Sequence, residues 1–104
     1  MQISIKAREL NLTDPLKKYI DMHIGSLSKY LKRFDEGLVL AEVEVARSTH
    51  HHRHGDVYYA EVNLTLPGKL LRATHEGGDM RECIDKVKNT LQREIDKYKD
   101  QIER

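Results

Sequence analysis

The residues able to do chemistry fall into two patterns, a knot of imidazoles and long stripes of bases. His50-His51-His52-Arg53-His54 places four histidines within five positions. Imidazole nitrogens ligate zinc or copper, and a carboxylate such as Asp56 can orient one of them. Arg53 inside the cluster repels a cation, and neighbours on a connecting segment do not converge from a fixed framework. The stretch therefore reads as a polar loop. Phosphate contact, stronger when the imidazoles are protonated, is the other option. No metal and no cofactor is expected. His23 and His75 read as structural.

The bases sit on two amphipathic segments. Thr13-Asp14-Pro15 opens the first, with Thr13 or Asp14 as cap and Pro15 in a first-turn position that loses no internal bond. Leu16, Ile20, Ile24, Leu27, Leu31 and Phe34 recur at steps of three and four, the mark of one buried helical stripe. The predicted helix runs on to Asp35-Glu36-Gly37. Lys18, Lys29, Lys32 and Arg33 project onto its outward face with Met22, Gly25 and Ser26. Five bases stand against only Asp14 and Asp21.

The second segment follows Gly77-Gly78, with Asp79 as cap. Met80, Ile84, Val87, Leu91, Ile95, Tyr98 and Ile102 form its apolar stripe. Lys86, Arg93, Lys97 and Arg104 line up nearly opposite; Arg81, Lys88 and Lys99 line up beside it. Acids alternate with these bases, and pairs such as Glu82 and Lys86 each stabilise a helix by roughly 0.2–0.5 kcal/mol. A solvated face and a phosphate-binding face both stay open for these stripes.

The elements between are strands. Ile3, Ile5 and Ala7 alternate with polar neighbours. Leu38 to Arg47 is a predicted long strand with Val39, Ala41, Val43 and Val45 on one face. After the loop 48–56, Tyr58, Ala60, Val62, Leu64 and Leu66 share a face. Pro67-Gly68 is a tight turn, and Leu70 to His75 returns with Leu71 and Ala73 inward. The order is β-α-β-β-β-α, an α+β fold with two helices covering one face of a four-stranded sheet. The opposite sheet face then carries Glu42, Glu44 and Glu61, which polarises the molecule.

With 104 residues the chain is expected to be one domain, 1–104. The net charge of +1 means that any nucleic-acid binding must come from segregated charge. No run is apolar and long enough to span a membrane. The first residues lack the apolar core of a signal peptide, so a cytoplasmic location is expected. Cys83 is the one cysteine, which excludes an internal disulfide, and it reads as a buried, inert thiol. No phosphate-cradling glycine loop, nucleophile elbow or HExxH helix occurs, so an enzyme is not expected.

Several short segments in this order resemble the ribosome hibernation promoting factor and ribosome-associated inhibitor (protein Y, sigma-54 modulation protein) family. They are Leu12-Thr13-Asp14-Pro15-Leu16, Leu27-Ser28-Lys29-Tyr30, Leu71-Arg72-Ala73, Asp79-Met80, Cys83-Ile84-Asp85, Leu91-Gln92-Arg93-Glu94-Ile95 and Lys97-Tyr98-Lys99. The resemblance implies a short-form protein, monomeric off the ribosome. Such a protein binds the small ribosomal subunit in the channel for messenger and transfer RNA and reversibly silences translation. It has no small-molecule substrate. It also implies ribosomal RNA contact by Lys29, Lys86, Arg93, Lys97 and Lys99. The outward bases Lys18, Lys32 and Arg33 join this set. Ser26 and Thr90 stand where the family often has lysine; Lys88, Lys32 or Arg53 can compensate. A general double-stranded-RNA module and a metal-binding protein built on the histidine loop are the alternatives.

Overall fold

A computed structural model describes residues 1–48 and 57–103. The histidine-rich stretch 50–54 and Arg104 lie outside them, so the readings of those residues are not addressed. Four strands, β1 (Gln2–Arg8), β2 (Leu40–Ser48), β3 (Val57–Leu66) and β4 (Lys69–Gly77), and two helices, α1 (Asp14–Gly25) and α2 (Met80–Ile102), follow the order β-α-β-β-β-α.

The sheet order is β1-β2-β3-β4, so each strand pairs with its neighbours in sequence. β1 and β2 are parallel, which requires the α1 crossover, and the other two pairs are antiparallel. Register aligns the apolar alternation of all four strands. Ile5, Val43, Val62 and Ala73 form one row across the sheet, and Ile3, Ala41, Leu64 and Leu71 form the next. This face joins Ile20, Ile24 and Leu27 from the first half and Ile84, Val87, Leu91 and Ile95 of α2 in a single core. Pro67-Gly68 turns β3 into β4. Gly68 has φ +82°, the left-handed region that favours glycine, and a Cβ there would also approach Tyr98 Oη tightly, at 3.1 Å. The same Tyr98 hydroxyl donates to the Pro67 carbonyl at 2.9 Å and ties α2 to this turn.

Four expectations need correction. The first helix does not run to Phe34. It ends at Gly25 and tightens into a 3₁₀ segment, Ser26–Tyr30. Glycine is a poor helix former, and serine side chains compete with the ladder for backbone partners. Here Ser26 Oγ donates to the His23 carbonyl at 2.6 Å. Gly25 is not outward either: a Cβ on it would meet Ile3 Cδ1 of β1 at 3.6 Å, ordinary contact. Leu38 is not in a strand. It closes a 3₁₀ turn, Glu36–Leu38, that Asp35 caps through the Gly37 amide, and its side chain is 60% exposed. Ile102, the last residue of α2, is 43% exposed and falls outside the buried stripe.

The caps match their reading. Thr13 Oγ1 accepts from the Leu16 amide, and Asp79 Oδ1 accepts from the Arg81 amide at 3.0 Å. Cys83 is fully buried, and burial pushes its thiol up to about 11, which keeps it protonated and unreactive.

Candidate nucleic-acid interface

The two helices lie side by side on the sheet and run parallel. Three contacts fix this. Tyr19 donates to Asp85 at 2.8 Å, Lys99 Nζ donates to the Tyr30 carbonyl at 3.0 Å, and Arg33 pairs with Glu103 at 2.7 Å. The partners stay 66 to 70 residues apart in sequence, which only parallel axes allow. Both segments therefore begin at one end of the molecule and finish at the other.

At the starting end the polar groups satisfy one another. The Tyr19 and His23 rings stack with centroids 3.9 Å apart, and Arg81 lies 4.8 Å over the Tyr19 ring. Asp85 Oδ1 accepts from Tyr19 and lies 3.5 Å from His23 Nδ1. Burial and the Asp85 carboxylate push the Tyr19 hydroxyl up to about 12. This cluster joins α1 to α2 and leaves little for a ligand. From sequence, Arg81 reads as one base of the stripe beside the apolar seam, Asp85 as part of the family-like segment and His23 as structural; the aromatic pair Tyr19 and His23, one turn apart on α1, is the signal that could have joined them.

At the finishing end bases collect. Lys29, Lys32, Arg33 and Lys99 surround a shallow groove with Tyr30 and Glu103. Lys29 Nζ lies 5.2 Å from the Tyr30 ring centre, a cation–π contact that holds it without neutralising it. Among the described residues, no carboxylate pairs with Lys29 or Lys32. Arg33 and Lys99 are engaged, the first by Glu103 and the second by the Tyr30 carbonyl. Lys99 is half-buried between the segments and acts as a tie.

The remaining predicted bases spread along the helical face. Lys18 is exposed on α1, 11 positions before Lys29 and on the far side of the break at Gly25. Lys86, Arg93 and Lys97 are exposed along α2, with Arg93 donating to Thr90 Oγ1 at 3.3 Å. Lys88 is half-buried. Across 14–34 and 80–102 there are eleven bases and seven acids.

The outer sheet face corrects the expected polarity. Glu42, Glu44 and Glu61 do lie there, but the strands also bring Arg8 and Arg72 onto that face. Glu44 sits directly opposite Glu61 in the β2–β3 register, an arrangement that costs stability when uncompensated. Arg8 Nε holds Glu44 at 3.2 Å, and Arg72 holds Glu61 at 2.8 Å. Tyr59 and Asn63 also donate to Glu61, and these bonds hold its carboxyl down at about 2. By register this face carries Lys6, Arg8 and Arg72 against Glu42, Glu44, Glu61 and Glu76, so it is close to neutral rather than strongly acidic.

Among the described residues no group of three or more histidine, cysteine or carboxylate side chains is placed to hold a metal ion. No described helix is long and apolar enough to cross a membrane.

Comparison with known proteins agrees with the fold. The fold is similar to the crystal structure of the Thermus thermophilus Protein Y N-terminal domain, with a TM-score of 0.69 at 22% identity over 94% of this chain and 99% of that one. A ribosomal subunit interface protein from Coxiella burnetii gives the same TM-score at 19% identity. In sequence, the chain is 28% identical over 100 residues to the Deinococcus radiodurans ribosome hibernation promotion factor, and 33% identical over 106 residues to that of Lactococcus lactis. It covers 95% and 100% of itself in these matches but about half of each relative's length, 50% and 52%. Against the Escherichia coli K12 ribosome hibernation promoting factor it is 26% identical over 102 residues, covering 98% of this chain and 97% of the relative. Residues 3–103 match the model of the sigma 54 modulation protein / S30EA ribosomal protein family, and the chain belongs to that family.

Proposed function

We propose that this chain acts in the cytoplasm as a ribosome hibernation factor. It binds the small ribosomal subunit in the channel used by messenger and transfer RNA and silences translation by occupancy. The observation that carries the reading is the end-to-end match with the Escherichia coli relative named for that role. The geometry supports the helical face as the contact. Lys18, Lys29, Lys32, Lys86 and Lys97 present charge there, whereas two of the four carboxylates on the opposite face, Glu44 and Glu61, are held by arginines. Ribosomal RNA supplies a dense array of phosphates to such a face. Lys88 and Arg93 flank the same surface; Arg33 and Lys99 contribute once their protein partners yield to phosphate. The action needs no reaction step, so inhibition reverses on dissociation.

The test is co-sedimentation with purified small subunits across a salt series, with reporter translation in parallel. Five phosphate contacts give a log–log slope of roughly 3.5 to 4.5, at about 0.7–0.9 per contact. Inhibition should vanish over the same salt range as binding. A flat salt response, or inhibition that persists after the protein is washed off, would refute the reading.

A further inference from the structure

A second hollow adjoins the basic groove and shares Lys29 and Lys32 with it. It is about 370 Å³, within the roughly 300–1,000 Å³ range of small-molecule sites. Leu31, Phe34, Val39 and Met1 make its apolar lining, with Ser28, Lys29, Lys32 and Glu36 as its polar members. Phe34 is held in place by a near-parallel stack on Tyr98, with centroids 6.1 Å apart and planes at 10°. Leu31 and Val39 are core residues fixed by the sheet and the 3₁₀ segment. The slot thus has an apolar floor that includes an aromatic ring, and a polar rim. Its one carboxylate, Glu36, lies 3.3 Å from the Met1 amino group, which leaves Lys29 and Lys32 as the uncompensated charges.

An apolar slot beside two unpaired cations has a definite chemical complement: a flat, weakly polar ring carried on an anionic chain. We propose that the slot receives the base of an unpaired RNA nucleotide, with Lys29 and Lys32 on its flanking phosphates. A paired base is sequestered in its helix, so single-stranded RNA is the source the site selects. The adjoining groove, with Arg33 and Lys99, then receives the next phosphate, which competes with Glu103 for Arg33. This inference rests on the RNA-binding role proposed above, and it adds a base-recognising position to a surface otherwise read as phosphate-directed.

The test uses the free protein and the hexanucleotide rA6, a 12-base-pair RNA duplex, an abasic ribose–phosphate hexamer and AMP. With rA6, amide NMR shifts should move and saturate at Leu31, Phe34 and Val39. The abasic hexamer and the duplex should leave those three in place. Ser28 is exposed at the slot, so Ser28→Trp plugs it without changing charge or core. That variant should lose at least tenfold in rA6 affinity and keep its duplex affinity; Ser28→Ala should match the parent in both. Glu103→Gln should raise rA6 affinity by freeing Arg33. A folded Ser28→Trp protein that binds rA6 as the parent does would overturn the slot. So would equal shifts with the abasic hexamer, and AMP binding as tightly as rA6 would overturn RNA as the source. None of these RNAs is ribosomal, so failure here leaves small-subunit binding standing. Failure to co-sediment, with rA6 still seated in the slot, strikes the hibernation reading alone.

Discussion

The two faces of the sheet layer use the same side-chain types to opposite ends. On the outer face Glu44 and Glu61 oppose each other, and an arginine on a diagonal position takes each one. On the helical face the lysines at 18, 29, 32, 86 and 97 are exposed, and their flexible stems reach into solvent. Total charge is nearly balanced on the first and moderately positive on the second. What separates them is availability. A charge already bonded to a fixed partner is a structural element, whereas an unpaired one is free to trade its hydration for a phosphate.

Reversal of the available charges should break this contrast most severely. Lys86→Glu with Arg93→Glu, or Lys29→Glu with Arg33→Glu, should each cut small-subunit affinity by well over tenfold and lower the salt slope by about 2. Circular dichroism should show both folded. The first pair changes stability by no more than about 0.5 kcal/mol; the second loses somewhat more, since a glutamate at 33 would face Glu103. Two folded variants with undiminished binding would remove the helical face from the model.

A finer cut separates ties from contacts within the helical face itself. Lys99→Met removes the bond to the Tyr30 carbonyl and should cost about 0.5–1.5 kcal/mol in chemical unfolding. Lys97→Met should cost almost nothing in stability and more in subunit binding.

The pairing on the outer face carries a pH signature. Glu61 is held at about 2 in the fold against an ordinary value of 4.5. Its contribution is fully present above about 4.5 and is lost as pH falls from there through about 2. Melting temperature should therefore drop across that window. Glu61→Gln should start lower at neutral pH and fall less steeply on acidification. Identical acid limbs in both proteins would show that the Arg72, Tyr59 and Asn63 bonds do not hold the carboxylate.

The smallest expected effect is the control. Glu42→Lys with Glu44→Lys leaves the helical face untouched and should not weaken subunit binding. A lysine at 44 facing Arg8 costs a fraction of a kcal/mol, as for exposed pairs generally.

The strands and both caps were legible because period-2 alternation and capping residues are local signals. The end of α1 was not. Leu27 and Leu31 remain buried through the 3₁₀ segment, so the apolar spacing of three and four carries on after the helix has tightened at Gly25. That segment resets the directions of Lys29, Lys32 and Arg33, which a straight helical projection placed together with Lys18. The positions of the bases could be read from sequence, but their partners could not. Arg33 meets Glu103 across 70 residues, and Lys99 meets a backbone carbonyl. The outer-face arginines escaped notice for the same reason: Arg8 reaches Glu44 only through the parallel β1–β2 register.

The neighbour-with-neighbour strand order bears on how the chain comes to be folded. β2, β3 and β4 form a meander that needs only short closures, and β1 joins it through one crossover. Loop-closure entropy is therefore modest for the β2–β4 meander, and the α1 crossover is the main long closure of the sheet. The sheet assembled this way still has one apolar side open to water, including Leu64, Leu71 and Ala73. Ile84, Val87, Leu91 and Ile95 seal it, and all four belong to α2, the last element in sequence. Without that helix the meander would keep this apolar side in water, and exposed apolar surface of this kind is what makes a partly folded chain prone to aggregation.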